Sequence, residues 1–229
     1  GFINFTLSSG WLAAQVEKIR QAVDNYGNTN IGKGKRIQVE FVSVNPTGPV
    51  HVGHTRGAVL GSVLASVLEA AGHIVSREYY INDAGTQMEL FYNSVLSRYL
   101  QIFGQEAEIP SGGYQGDYVV DLAEEIRADS SDRFLNMERI DATAALAPIA
   151  RQKMVSMIRD DLASLGVHFD VWFPEHQLFE SGEYAHRLHE LVSEANTCEG
   201  PFDRLLQLKS LMVKAARKTR DRMLCEGHL

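Results

Sequence analysis

An α/β fold on a parallel sheet is the architecture this sequence predicts, and three observations carry it. Runs rich in β-branched and aromatic residues alternate with runs whose apolar residues recur at helical spacing. The joints between them are short, and glycines stand where the helical runs should stop. Strand, helix, strand, helix in that order makes a βαβ unit, whose strands lie parallel with a right-handed crossover. The chain has 229 residues, 45% hydrophobic and 22% charged, enough for one large core or two smaller ones.

The elements follow in order. "GWLAAQVEKIRQAVDNYG" places Leu12, Val16, Ile19 and Val23 at helical spacing and stops at Gly27. "GNTNIGKGKR" is a polar, glycine-rich linker. "IQVEFVSV", Ile37 to Val44, reads as a strand. "TRGAVLGSVLASVLEAAG" repeats apolar residues at Leu60, Val63, Leu64, Val67 and Leu68 and ends at Gly72, an amphipathic helix with a glycine stop. "HIVSREYYI" is a second strand. Asn82 and Asp83 are suitable N-caps for the helix that continues through "MELFYNSVLSRYLQIFG". Residues 104–140 read as an insertion, with "PSGGYQGDY" as a loop and "DLAEEIRA" as a short helix. A helix follows Pro148 and ends near Gly166, "VHFDVWF" is a third strand, and "SGEYAHRLHELVSE" a further helix. There is no internal repeat and no low-complexity tract.

Composition excludes several classes. No run of about 18 apolar residues exists, so no membrane span is expected. The start, "GFINFTLSSGWLAAQ", lacks a basic segment and a cleavage pattern, so no secretory signal is expected. Cys198 and Cys225 are too far apart for a C-x-x-C clip; a reducing cytoplasm is the simplest setting. The formal charge of −7 argues against coating nucleic acid by bulk charge but leaves a local basic groove open. Residues 195–229 differ from the rest: they carry seven basic and four acidic residues, against fifteen and twenty-five in the first 194.

The stretch "EFVSVNPTGPVHVGHTRGAVLG", Glu40 to Gly61, lies between the first strand and the next helix. In open α/β sheets the carboxyl end of a strand is where ligands bind. A helix N-terminus there offers unpaired N–H groups and a positive dipole end, which suits a phosphate. Gly53 lets a ligand approach the backbone, and His51 and His54 can donate to phosphate oxygens. Arg56 sits where a cation opposes the dipole unless an anion is bound. Gly57 and Gly61, four apart, would let the helix lie close on the sheet. A plain turn is the competing reading. Two histidines are too few for a metal site, so none is expected. Neither G-x-x-x-x-G-K-[ST] nor G-x-G-x-x-G occurs.

"HVGH" after a strand resembles the signature of class I aminoacyl-tRNA synthetases. Together, "VEFVSVNPTGPVHVGHTRGAVLG", "REYYINDAGTQ", "GYQGDY" and "LGVHFDVWF" resemble the arginyl-tRNA synthetase family of bacterial type, four blocks in order over roughly residues 37–194. The resemblance implies a Rossmann-like parallel sheet with a helical insertion at about 104–140, incomplete as the first half of a catalytic domain. It implies that residues 1–36 are a helix and linker from an appended N-terminal domain, and it leaves 195–229 as a divergent basic tail. It implies activation of arginine with ATP and Mg2+, transfer to tRNA(Arg), and a cytoplasmic monomer when full length. His51 and His54 would contact the ATP phosphates, and Gly53 would leave room for the adenosine. Glu40, Ser43 and Asn45 match positions lining the arginine pocket; Asp83 and Gln87 are added as candidate partners of the substrate. A guanidinium needs carboxylates in bidentate reach. Glu40 in a buried strand would be costly unless paired; Asp83 could instead be only a helix cap.

The sequence also departs from the family. "NPTGPV" carries Gly48 and no lysine, and neither the K-M-S-K loop, the Y-x-x-x-D stretch nor the anticodon-binding domain is present. The chain is therefore expected not to charge tRNA alone, and to expose apolar surface. Two other classes stay open: a nucleotidylyltransferase with the same H-x-G-H chemistry, and a non-catalytic nucleotide-binding fragment.

Overall fold

A computed structural model describes residues 1–182, 185–186 and 188–190. The expected helix over 181–194 falls mostly outside the described residues, and the 195–229 tail entirely so. The elements are α1 (Ser9–Ala22), β1 (Arg36–Glu40), α2 (Val52–Ala70), β2 (Ile74–Ile81), α3 (Thr86–Ile102), α4 (Asp117–Ser130), α5 (Arg139–Ser164), β3 (Val171–Pro174) and α6 (His176–Glu180).

The sheet has the order β1-β2-β3. Both pairs are parallel, with Arg36 opposite Ile74, Glu40 opposite Glu78, and Glu78 opposite Val171. The expected βαβ unit is thus present. Between β2 and β3 the chain makes α3, α4 and α5, which pack on one another. Phe91, Val95, Leu96 and Tyr99 of α3, Val119, Leu122 and Ile126 of α4, and Leu146, Met154, Ile158 and Leu162 of α5 are buried together. This helical core anchors what projects from α3 and α4 into the site. No helix among the described residues is long and apolar enough to cross a membrane.

The structure departs from the expected elements in five places. First, β1 ends at Glu40 rather than Val44. Phe41 N–H still donates to Glu78 O at 3.2 Å, but Val42 and Ser43 take φ of 65° and 45°. That left-handed backbone is costly for a β-branched residue. Cross-links hold it: Ser43 Oγ accepts from Tyr80 N–H at 3.1 Å, and Tyr79 Oη accepts from Val44 N–H at 3.3 Å and donates to Val44 O at 3.2 Å. Second, α3 is capped by Gly85 at φ 88°, not by Asn82 or Asp83. Third, α5 runs unbroken for 26 residues through Pro148. The proline removes the N–H that Ala144 O would accept, and burial of Leu146, Ala150 and Met154 on either side outweighs that loss. Fourth, β3 takes only the end of "VHFDVWF"; Phe169 packs instead on the Phe41 ring at 4.4 Å.

Fifth, α2 faces the sheet with small residues. Ala58, Gly61 and Ala65 are buried, while Leu60, Val63, Leu64 and Val67 are each more than half exposed. The reason is the depth of contact with Phe41: a Cβ on Gly61 would stand 2.1 Å from Phe41 Cγ. Gly57 has no such neighbour, so only one of the two glycines permits the close approach. Gly61→Ala is expected to destabilise the fold by about 2 kcal/mol through overpacking. Gly57→Ala should stabilise α2 by up to about 1 kcal/mol through helix propensity. Urea denaturation of the two variants checks the opposite signs. α1 likewise leaves Leu12, Val16 and Ile19 exposed and buries no residue.

Candidate active site at the carboxyl end of the sheet

The loop of residues 41–51 leaves β1, turns twice, and enters α2 at His51. His51 is the N-cap: its extended backbone gives φ −116°, and its Nδ1 accepts from Gly53 N–H at 3.1 Å. An imidazole whose Nδ1 accepts must, when neutral, carry its proton on Nε2. That leaves an N–H donor at the positive end of a 19-residue helix. Gly53 is required for a reason beyond room for a ligand. A Cβ there would stand 3.0 Å from His51 Cε1 and 3.1 Å from Nδ1, pushing the ring off its cap.

His54 stacks on His51, with ring centroids 3.5 Å apart and planes at 25°. Its Nδ1 is buried without a hydrogen-bond partner among the described residues. Burial, and then the neighbouring His51, hold its imidazole below the usual histidine range. A buried polar atom left unpaired is costly, and here it belongs to a residue lining an open cleft of about 690 Å³.

That cleft is walled by three elements beside α2. Ser43, Asn45 and Gly48 come from the loop, Gln87 from the first turn of α3, and Tyr114 and Tyr118 from the insertion. Asn45 Nδ2 donates to Gln87 Oε1 at 2.7 Å, tying the loop to α3. Val50 N–H donates to Asp161 Oδ2 of α5 at 3.3 Å. The structure therefore brings His51, His54, Ser43, Asn45 and Gln87 to one place, with Gly53 between the histidines in the chain.

Glu40 and Asp83 are not among the residues lining this cleft. Glu40 is exposed at the end of β1, so the cost expected from its burial does not arise. Asp83 is buried and committed elsewhere. Its Oδ1 accepts from His176 N–H at 2.9 Å, its Oδ2 pairs with His176 Nδ1, and Arg151 Nη1 lies 3.5 Å from Oδ2. It lines a second cavity of about 260 Å³ with Arg151, Arg159 and His176. Tyr80 joins the two regions. Burial first, and then Glu175, push its hydroxyl far above the usual tyrosine range, with Asp83 and Glu40 adding to the effect. Three carboxylates thus surround one phenol at the carboxyl ends of the three strands.

Sequence reasoning assigned no role to Tyr114, which lines the cleft, or to Tyr118 beside it. It also left His176 without a partner, because 93 positions separate it from Asp83. Asp117 opens α4. Trp172 packs against the core, stacked on Tyr79 at 4.5 Å with the Arg159 guanidinium over its ring at 4.7 Å.

Comparison with known proteins agrees with this arrangement. The family described as tRNA synthetases class I (R), catalytic domain, matches residues 15–198. Arginine–tRNA ligase of Dehalococcoides mccartyi is 48% identical over 184 residues, 80% of this chain and 33% of the relative. That of Carboxydothermus hydrogenoformans is 48% identical over 183 residues, again 80% and 33%. A Campylobacter jejuni crystal structure assigned as an arginyl-tRNA synthetase superposes with a TM-score of 0.70 at 30% identity, covering 82% of this chain and 40% of that one. The chain spans about a third of the length of the curated relatives it matches. With a parallel βαβ unit, an H-x-G-H helix cap at its carboxyl end and a family match over most of its length, the chain belongs to the arginyl class I tRNA synthetase family.

Proposed function

We propose that this chain forms the phosphate-binding loop and the first part of the amino-acid pocket of an arginine–tRNA ligase. The observation that supports it is the stacked His51–His54 pair at the N-terminus of α2, facing a cleft that Asn45 and Gln87 close from the other side. In this reading the arginine carboxylate attacks the α-phosphate of ATP, giving arginyl-adenylate and pyrophosphate. The arginyl group then passes to the 3′ end of tRNA(Arg). No covalent enzyme intermediate is needed; positioning and charge stabilisation carry the rate. His51 donates to the phosphates, and Gly53 keeps the His51 ring in place. Ser43, Asn45 and Gln87 orient arginine. Glu40, exposed at the end of β1, and Glu175 beside Tyr80 add negative charge at the carboxyl ends of the strands, which favours a guanidinium. Magnesium enters with the triphosphate it neutralises, since no group of three acidic, His or Cys side chains stands ready for a metal ion among the described residues.

The test is arginine-dependent ATP–pyrophosphate exchange, with the chain put in place of the matching third of a curated relative. Exchange that needs arginine is expected. Exchange without arginine would point to a nucleotidylyltransferase, and none at all to a non-catalytic nucleotide-binding module. By itself the chain is expected to give no arginyl-tRNA, because the described cleft offers a triphosphate one helix N-terminus and two imidazoles.

A further inference from the structure

The loop that leads to the histidines is held at Ser43, Val44, Asn45 and Val50, which leaves the tip of its turn to be fixed between Asn45 and Val50. Thr47 N–H donates to Asn45 O at 2.8 Å, which closes a tight turn but ties the loop only to itself. Outward, the turn is tied by Asn45 to Gln87 of α3 and, at Thr47, by the insertion. Tyr118 Oη donates to Thr47 O at 2.8 Å, across 71 positions of sequence. Its ring lies against Gly48, where a Cβ would stand 3.3 Å from both Cζ and Oη. Gly48 thus leaves the seat that the tyrosine occupies. The far side of this strut is rigid: the residue after Tyr118 is Val119, which is fully buried with Leu122 and Ile126 in the helical core. Burial raises the hydroxyl above the usual tyrosine range, so it keeps the proton it donates.

We propose that Tyr118 is a positioning residue for the nucleotide site: its hydroxyl fixes the Asn45–Pro49 turn through the Thr47 carbonyl and so holds His51 and His54 where the cleft needs them. The proposal deepens the ATP-binding reading above and rests on it for its ligand, though not for its mechanics. The strut acts through the backbone, four residues before the histidine cap. Its loss should loosen the loop without disturbing the core, because Tyr118→Phe removes one oxygen and keeps the ring on Gly48.

The experiment uses the whole chain with three proteins: wild type, Tyr118→Phe and Tyr99→Phe. Tyr99 is a control, since its buried hydroxyl donates to Ser131 O, a loop carbonyl remote from the cleft. Backbone hydrogen exchange of the 45–55 segment, read by mass spectrometry, should quicken about tenfold in Tyr118→Phe, the worth of one hydrogen bond. It should be unchanged in Tyr99→Phe, and exchange of α3 and α5 should be unchanged in Tyr118→Phe. ATP titration should show a matching loss of affinity in Tyr118→Phe alone. Unchanged exchange over 45–55 overturns the proposal, and if affinity then falls, Tyr118 touches the nucleotide directly. Faster exchange with wild-type affinity overturns it too, leaving the strut purely structural. If the wild type binds no ATP, the nucleotide reading fails, and the exchange result still decides whether the strut holds the loop.

Discussion

Replacing His54 by alanine is expected to slow adenylate formation by about 100-fold or more. Stability should fall by no more than about 0.5 kcal/mol. The asymmetry follows from where the ring sits. Its Nδ1 is buried with no partner among the described residues, so the folded protein gains no hydrogen bond that the alanine would forfeit. Among the described residues its close ring neighbour is His51, itself an exposed cap. In the proposed reading, what alanine removes is an imidazole that meets the ATP phosphates from the wall of the cleft. Pyrophosphate exchange measured in the substituted ligase, beside urea denaturation of the same variant, separates the two quantities. A rate within about twofold of wild type, a barrier change below about 0.5 kcal/mol, would make His54 no more than a packing partner of His51.

Asp83→Ala is expected to do the reverse, lowering stability by about 3 kcal/mol. Its side chain is 1% exposed. Removing it strands a backbone N–H and a ring nitrogen of His176 and leaves the Arg151 guanidinium without its buried counter-charge. Three elements lose a shared anchor at once: the end of β2, the start of α6 and the middle of α5. Denaturant midpoints of Asp83→Ala and Asp83→Asn check this, and Asn, which keeps the acceptor for His176 N–H, should recover part of the loss. A variant with wild-type stability and weakened arginine affinity would instead return Asp83 to the substrate pocket.

The contrast between these two residues shows what local pattern can and cannot convey. His51 and His54 are four-residue information: a strand, a turn and a helix start suffice to place them at a helix N-terminus. Asn45 comes from the family resemblance and Gln87 from its place one helical turn beyond Asp83; the bond between them depends on α3 lying beside the loop. Asp83 failed as an N-cap because a distant partner outcompeted the local helix; nothing in "NDAG" announces His176. The face of α2 was misjudged for a similar reason. Periodicity marks which residues share a stripe, yet the depth at which Phe41 meets Gly61 decides which stripe is buried. Pro148 predicted a helix start and sits well inside one, because burial on both sides of the proline outweighed one missing bond.

The stacked imidazoles have a consequence for proton bookkeeping. Two rings with centroids 3.5 Å apart cannot both be cationic without strong repulsion, and His51 already contributes to keeping His54 neutral. A polyphosphate laid across the rings reverses the sign of that interaction, because a nearby anion favours the protonated form. In the proposed ATP-binding reading, binding is then coupled to proton uptake at His54, and affinity is expected to rise as the solution is made more acidic. On that reading, one of the two side chains that mark the loop in the sequence also ties occupancy of the cleft to pH.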